Sequence, residues 1–86
     1  MTPAEALDAI RGYAAANRIE TKVHARQRMR ERNVSHADLR HALMTAARCR
    51  LQPANQRWRV DGADLDGDEL TVIVVIDGGA VVVTLF

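Results

Sequence analysis

Residues 70–86 read LTVIVVIDGGAVVVTLF. Two β-branched runs, Leu70–Ile76 and Ala80–Phe86, flank Asp77-Gly78-Gly79. Side chains branched at Cβ are stiff and pack well on a pleated surface. An Asp-Gly pair supplies the positive φ that a tight hairpin turn requires. The stretch is therefore expected to form an antiparallel hairpin, and the elements before it decide the fold class. Going upstream, DGADLDGDE (61–69) is rich in turn residues. QRWRV (56–60) alternates, so Arg57 and Arg59 share one face of a strand and Trp58 and Val60 the other. RCRLQ (48–52) reads as a further strand stopped by Pro53.

Before Arg48 the period changes from two to 3.6. Thr2 and Glu5 are spaced for a capping box, with Pro3 at the first helical position. Leu7, Ile10 and Ala14 follow on one stripe, with Tyr13 beside it, which predicts a helix over 3–16 ended by Asn17. Residues 18–21 read as a link. Thr21 is the expected cap of a second helix that runs to Arg32 and stops at Asn33. Ser35 and Asp38 make a second capping box, and Leu39, Leu43 and Ala46 or Ala47 line a third helix over about 36–48. The expected fold is α+β: N-terminal helices packed on a twisted antiparallel sheet of about four strands, in one domain over 1–86. Ile73, Val75, Val81 and Val83 would leave the far side of the hairpin greasy. A dimer mate, another chain or strong strand twist would each cover it.

The net charge of +1 conceals an asymmetry. All twelve bases, eleven of them arginine, lie at or before Arg59 with five acids, a formal +7; residues 60–86 carry six acids and no base. Such clustering suits nucleic acid or an acidic protein partner, although a GC-rich genome also yields arginine. One cysteine, Cys49, allows no internal disulfide and no cysteine-rich metal site, and reads as a buried thiol. There is no apolar run of membrane-spanning length, and the opening MTPAEALDAIRG lacks the basic start of a signal peptide. A cytoplasmic location is expected, with no membrane partner. Asp64 to Glu69 alternates carboxylates without the spacing of a calcium loop, so a turn is expected and neither metal nor cofactor. Phosphate-binding Gly loops, HExxH and G-x-S-x-G are all absent.

HARQRMRER (24–32) carries the candidate chemistry. On a helix His24, Arg28 and Arg32 recur every four residues, and Arg26 and Arg30 form a neighbouring row. Two arginine rows can follow phosphates with bidentate contacts; equally, they can be a solvated face whose stems cover apolar surface. His24 lies in the first turn, where the helix dipole disfavours an imidazolium. A neutral imidazole beside arginines suits acid–base work on a phosphodiester, while a hydrogen bond that orders the preceding loop is the structural alternative. If the strand face of Arg57 and Arg59 meets His24 and Arg28, a cationic pocket results; otherwise the pair is simply exposed. Trp58 reads as a core anchor, and His36 and His41 as surface or packing residues.

TKVHARQRMRERNVSHADLRHAL (21–43) resembles a bacterial family of small domains of unknown function with an HA-x-x-RM-x-x-R signature. His24-Ala25, Arg28-Met29, Arg32, Val34 and Ser35 fit it, Asn33 stands where glycine is usual, and RWRVDG and VVVTLF match the later strands. The resemblance covers about residues 19–86, with 1–18 as a variable extension. That family is similar to the RelE/ParE-type toxins, near the MqsR-like and BrnT-like branches. The resemblance implies a toxin–antitoxin pair whose toxin cleaves mRNA, ribosome-bound or free, without a metal. The ribose 2′-OH would attack the adjacent phosphate while arginines stabilise the charge. On this sequence it implies catalytic roles for His24, Arg28 and Arg59, and RNA contacts from Arg26, Arg30, Arg32 and Arg57. The implied partners are a cognate antitoxin and RNA, with a homodimer also compatible. Several members of that toxin superfamily use a tyrosine near the C-terminus; here Phe86 can stack on a base but cannot move a proton. A protein-binding module of the same fold, without catalysis, is the alternative.

Overall fold

In the computed structural model, which describes residues 1–86, the first element is α1 (Pro3–Ala15). The Thr2 hydroxyl accepts from the Glu5 amide at 3.2 Å, and the Glu5 carboxylate accepts from the Thr2 amide at 2.8 Å. This reciprocal box satisfies donors that a helix start leaves unpaired. Asn17 reverses the chain at φ 57°. A short strand follows, β1 (Ile19–Thr21), where the sequence suggested only a link. With Thr21 in that strand, α2 (Val23–Arg32) is capped at Lys22, without a side-chain bond, and not at Thr21. Asn33, at φ 54°, ends α2 in the left-handed conformation.

Next come α3 (His36–Met44), β2 (Arg48–Gln52), β3 (Arg57–Ala63), β4 (Glu69–Ile76) and β5 (Ala80–Leu85). The third helix ends at Met44, four residues short of the expected boundary, because Arg48 already pairs with Asp61 in the sheet. The sheet has five strands in the order β1-β5-β4-β3-β2. Four strands are antiparallel as expected. β1 adds a parallel pairing to β5, Ile19 opposite Ala80, so the sheet is mixed and not wholly antiparallel.

α1 and α3 pack against each other and cover the inner face of the sheet. Ile10, Leu39 and Leu43 meet Val60, Val72, Val74, Val82 and Leu85 in one buried cluster, with Trp58 at its margin. α2 packs on β5 and adds Ala25 and part of Met29 to this cluster. The helix C-termini are tied by arginines from neighbouring segments. Arg40 donates to the Ala14 and Ala15 carbonyls at 2.9 and 2.8 Å, and Arg11 donates to the Ala46 carbonyl. Part of the arginine excess is thus structural, closing the Ala15 and Ala46 carbonyls and adding a second bond at Ala14, which also accepts from the Asn17 amide. No helix is long and apolar enough to cross a membrane.

The greasy outer side of the hairpin is less open than its composition suggests. Ile73 is only 4% exposed, flanked across the ladder by Arg59 and Thr84, and a bulge follows it at Val74. Val75, Val81 and Val83 are half-buried. Long side chains and local twist supply cover that the apolar count alone did not predict.

Asp38 ties α3 to the β3–β4 turn. Its carboxylate accepts from the Ser35 amide at 3.0 Å, the Ser35 hydroxyl at 2.9 Å and the Leu65 amide at 3.1 Å. These bonds, those from Ser35 first, hold the Asp38 carboxyl below its ordinary pKa; the Thr2 bonds do the same for Glu5. A depressed carboxyl stabilises the fold fully above its unfolded pKa of about 4 and loses that contribution as pH falls through the folded value. The midpoint of thermal unfolding is therefore expected to hold steady at neutral pH and fall below about pH 4. In an Asp38→Asn variant the acid-side fall should be shallower. An identical acid slope in the variant would show that Asp38 is not the linked group.

Candidate functional site

The period-two rule places alternate residues of β2 and β3 on the outer face, away from the helices. β2 contributes Arg48 and Arg50, and β3 contributes Arg57, Arg59 and Asp61. Register sets them against one another: Arg50 lies opposite Arg59, and Arg48 opposite Asp61. Thr71 of β4 follows Asp61 across the next ladder, and Phe86 exchanges two backbone hydrogen bonds with Thr71, both 2.9 Å. A cleft of about 370 Å³ results, lined by Arg48, Arg50, Arg59, Asp61, Glu69 and Thr71 together with Cys49.

Asp61 is the hub of the cleft. Arg48 Nε stands 3.2 Å from one carboxylate oxygen and Arg59 Nε 3.7 Å from the other, to which the Thr71 hydroxyl donates at 3.3 Å. The Arg59 guanidinium carbon lies 5.6 Å from the centre of the Phe86 ring, within cation–π range. Its Nε is shielded from solvent and makes no hydrogen bond. Arg50 has no ion-pair partner and faces Arg59 directly. Like charges opposed across an antiparallel pair are destabilising. Two arginines therefore engage the Asp61 carboxylate while a third, Arg50, is left unpaired beside them, and an anion would relieve that unmatched positive charge.

The residues singled out from sequence fall into two groups. Arg59 lies in the cleft and Arg57 on the same strand face. Arg48, Arg50, Asp61, Thr71 and the ring of Phe86 join them, and these sequence reasoning had not placed there. Their signal was present, since R-x-R recurs at 48–50 and 57–59 on either side of a short turn. The α2 residues form a separate surface. His24 is exposed in the first turn of α2, and its ring makes no hydrogen bond within the chain, whereas His36 Nε2 is 2.9 Å from Asn17 Oδ1 and His41 Nδ1 is 3.1 Å from the Ala63 carbonyl. Arg28 stands 4.0 Å from Glu31, with its own Nε shielded and unbonded. Arg26 donates to the Thr21 carbonyl. Arg30 and Arg32 are exposed. Neither His24 nor Arg28 lines the Asp61 cleft.

Two other sequence features are accounted for locally. The Cys49 thiol donates to the Pro3 carbonyl at 3.1 Å, tying the sheet to the start of α1, and burial raises its pKa. Asp64 accepts from the Asp66 and Asp68 amides, both 2.9 Å, and so closes the β3–β4 turn.

A family model described as Domain of unknown function (DUF4258) matches residues 21–86. No curated protein and no solved structure matches the chain.

Proposed function

The chain belongs to the family described as Domain of unknown function (DUF4258), and from that premise and the arginine face of its sheet we propose that it is an RNA-acting toxin of RelE/ParE type. The observation that carries this reading is the opposed pair Arg50 and Arg59, left without full counter-charge beside Asp61 and Phe86. A phosphate seated between the two guanidiniums would neutralise that repulsion and accept bidentate bonds. The exposed edge of Phe86 offers a surface for an unpaired base, which favours single-stranded RNA over duplex. In the ribonuclease form of the reading, the 2′-OH gives up its proton to a base as its oxygen attacks the adjacent phosphorus, and the P–O5′ bond breaks. A 2′,3′-cyclic phosphate forms, and the departing 5′-oxygen takes up a proton. Arginine charge stabilises the crowded phosphorus in the transition state. His24, the one imidazole without an intramolecular hydrogen bond, is the candidate proton carrier. Because His24 does not line the cleft, the phosphate that is cut would be one held at the start of α2, and the cleft would hold a neighbouring phosphate of the same strand.

One observation favours the non-catalytic alternative, a module that grips its partner without cutting. The proton acceptors lining the cleft are Asp61 and Glu69, and Asp61 is already engaged by two arginines. Incubation of labelled single-stranded RNA in EDTA separates the two. The expected result is cleavage that leaves a cyclic phosphate, slowed at least about 100-fold by His24→Ala. Binding that weakens steeply with salt but yields no product, with or without ribosomes, would replace the ribonuclease by a module that grips RNA without cutting it, and not by one that binds protein. Absence of RNA binding at low salt would overturn both RNA readings.

A further inference from the structure

The second basic surface has a different chemistry from the first. Arg26, Met29, Arg30, Asn33, Val34 and Ser35 line an open groove of about 480 Å³ between α2 and the start of α3. Its floor is aliphatic, from Met29 and Val34, and its walls carry two arginines and no acid. No aromatic ring is present to stack a nucleobase, so the groove suits an aliphatic side chain flanked by carboxylates.

The same molecule presents that motif. The β3–β4 turn holds Leu65, which is 57% exposed, between Asp64 and Asp66, with Asp68 and Glu69 following. Turn and groove are neighbours. The Asp38 carboxylate bonds the Leu65 amide with one oxygen and Ser35, a groove residue, with the other. Two complementary patches side by side on one surface form a self-complementary face, which a two-fold axis can satisfy twice.

The geometry points to a second copy of this chain as the occupant of the groove. In that dimer Leu65 of each protomer enters the Met29–Val34 floor of the other, and the turn carboxylates meet Arg26 and Arg30. The axis passes near Ser35 and Asp38. The patches are small, so the dimer is a weak, salt-sensitive one and not an obligate assembly.

Sedimentation equilibrium of the full chain over a concentration series tests this without reference to RNA. At low salt the mass is expected to rise from 9.5 kDa towards twice that value, and high salt should reverse it. Arg30→Glu and Asp66→Arg change exposed side chains that make no bond in the monomer. Each is expected to weaken association at least about tenfold, and the two together to restore it to within about threefold of the parent. Leu65→Asp should abolish association. Dimers unaffected by either single reversal would overturn the proposal, as would a monomer at every salt concentration. So would amide shifts of the groove residues on addition of inorganic phosphate to a chain that stays monomeric, because they would assign the groove to an anion.

Discussion

Gly62→Ala is expected to be the most damaging single-methyl substitution in this protein, lowering the unfolding midpoint by about 15 °C. The reason lies in how α3 rests on β3. A Cβ at position 62 would stand 2.2 Å from the Ala42 carbonyl oxygen, 2.9 Å from its carbon and 3.1 Å from the Ala42 Cα. All three are backbone atoms of a helix, so no rotamer change makes room. Either α3 lifts away from the sheet or β3 bends. Overpacking of this kind costs about 3 kcal/mol or more. For a chain of this size, which buries a modest core, that is a large part of its total stability. Gly12→Ala is the matching control. Its added methyl meets nothing within 4 Å on the exposed side of α1, and the helix should gain up to about 1 kcal/mol. Calorimetry on the pair decides the matter. A Gly62→Ala midpoint within about 3 °C of the parent would mean that helix and sheet are not in backbone contact there.

Arg59→Ala is expected to produce the largest loss of RNA affinity among the arginines, about 10- to 100-fold at constant salt. Arg59 alone combines a phosphate-accessible fork, a carboxylate neighbour in Asp61 and an aromatic surface in Phe86. The slope of log affinity against log salt should fall by about one, the signature of one lost phosphate contact. Arg59→Lys keeps the charge but not the planar group over the ring, and should recover only part of the loss. Fold stability should change little, because Arg59→Ala removes an ion pair with Asp61 and the like-charge opposition to Arg50 together. Arg32→Ala on α2 supplies the comparison. If it weakens RNA binding more than Arg59→Ala, the footprint lies on α2 and the sheet face is not the RNA surface.

The parts of the fold that were legible in the sequence are those whose signals are local. Both capping boxes, the left-handed Asn33 and the hairpin at 77–79 each declare themselves within a few residues. β1 does not. Its three residues, Ile19, Glu20 and Thr21, are too few to show a period of two, and they form a strand only because Ala80–Val82 offers an edge some sixty residues away. The end of α3 was misplaced for a related reason: Ala46 and Ala47 continue a helical stripe, but the pairing of Arg48 with Asp61 claims the chain first.

The site divides along the same line. Alternation alone put Arg57 and Arg59 on a common face. That Arg48 and Arg50 share it depends on the register of two strands, and the sequence of either one does not reveal it. Phe86 stands out in the sequence only as a terminal aromatic residue. Its position beneath Arg59 follows from the ladder between Thr71 and Phe86, a contact that no spacing rule anticipates.

The parallel pairing of β1 with β5 also bears on the order in which the fold closes. The Lys22 amide hydrogen-bonds to the Val82 carbonyl, so the start of α2 is anchored by a strand some sixty residues further along the chain. Without residues 80–85, α1 and α3 still have each other and β2 and β3 to pack on, but α2 has lost the strand it rests on. Contacts so distant in sequence close late. The apolar side of α2 thus stays uncovered until β5 is in place, and its docking waits on the slowest-closing contacts of the fold.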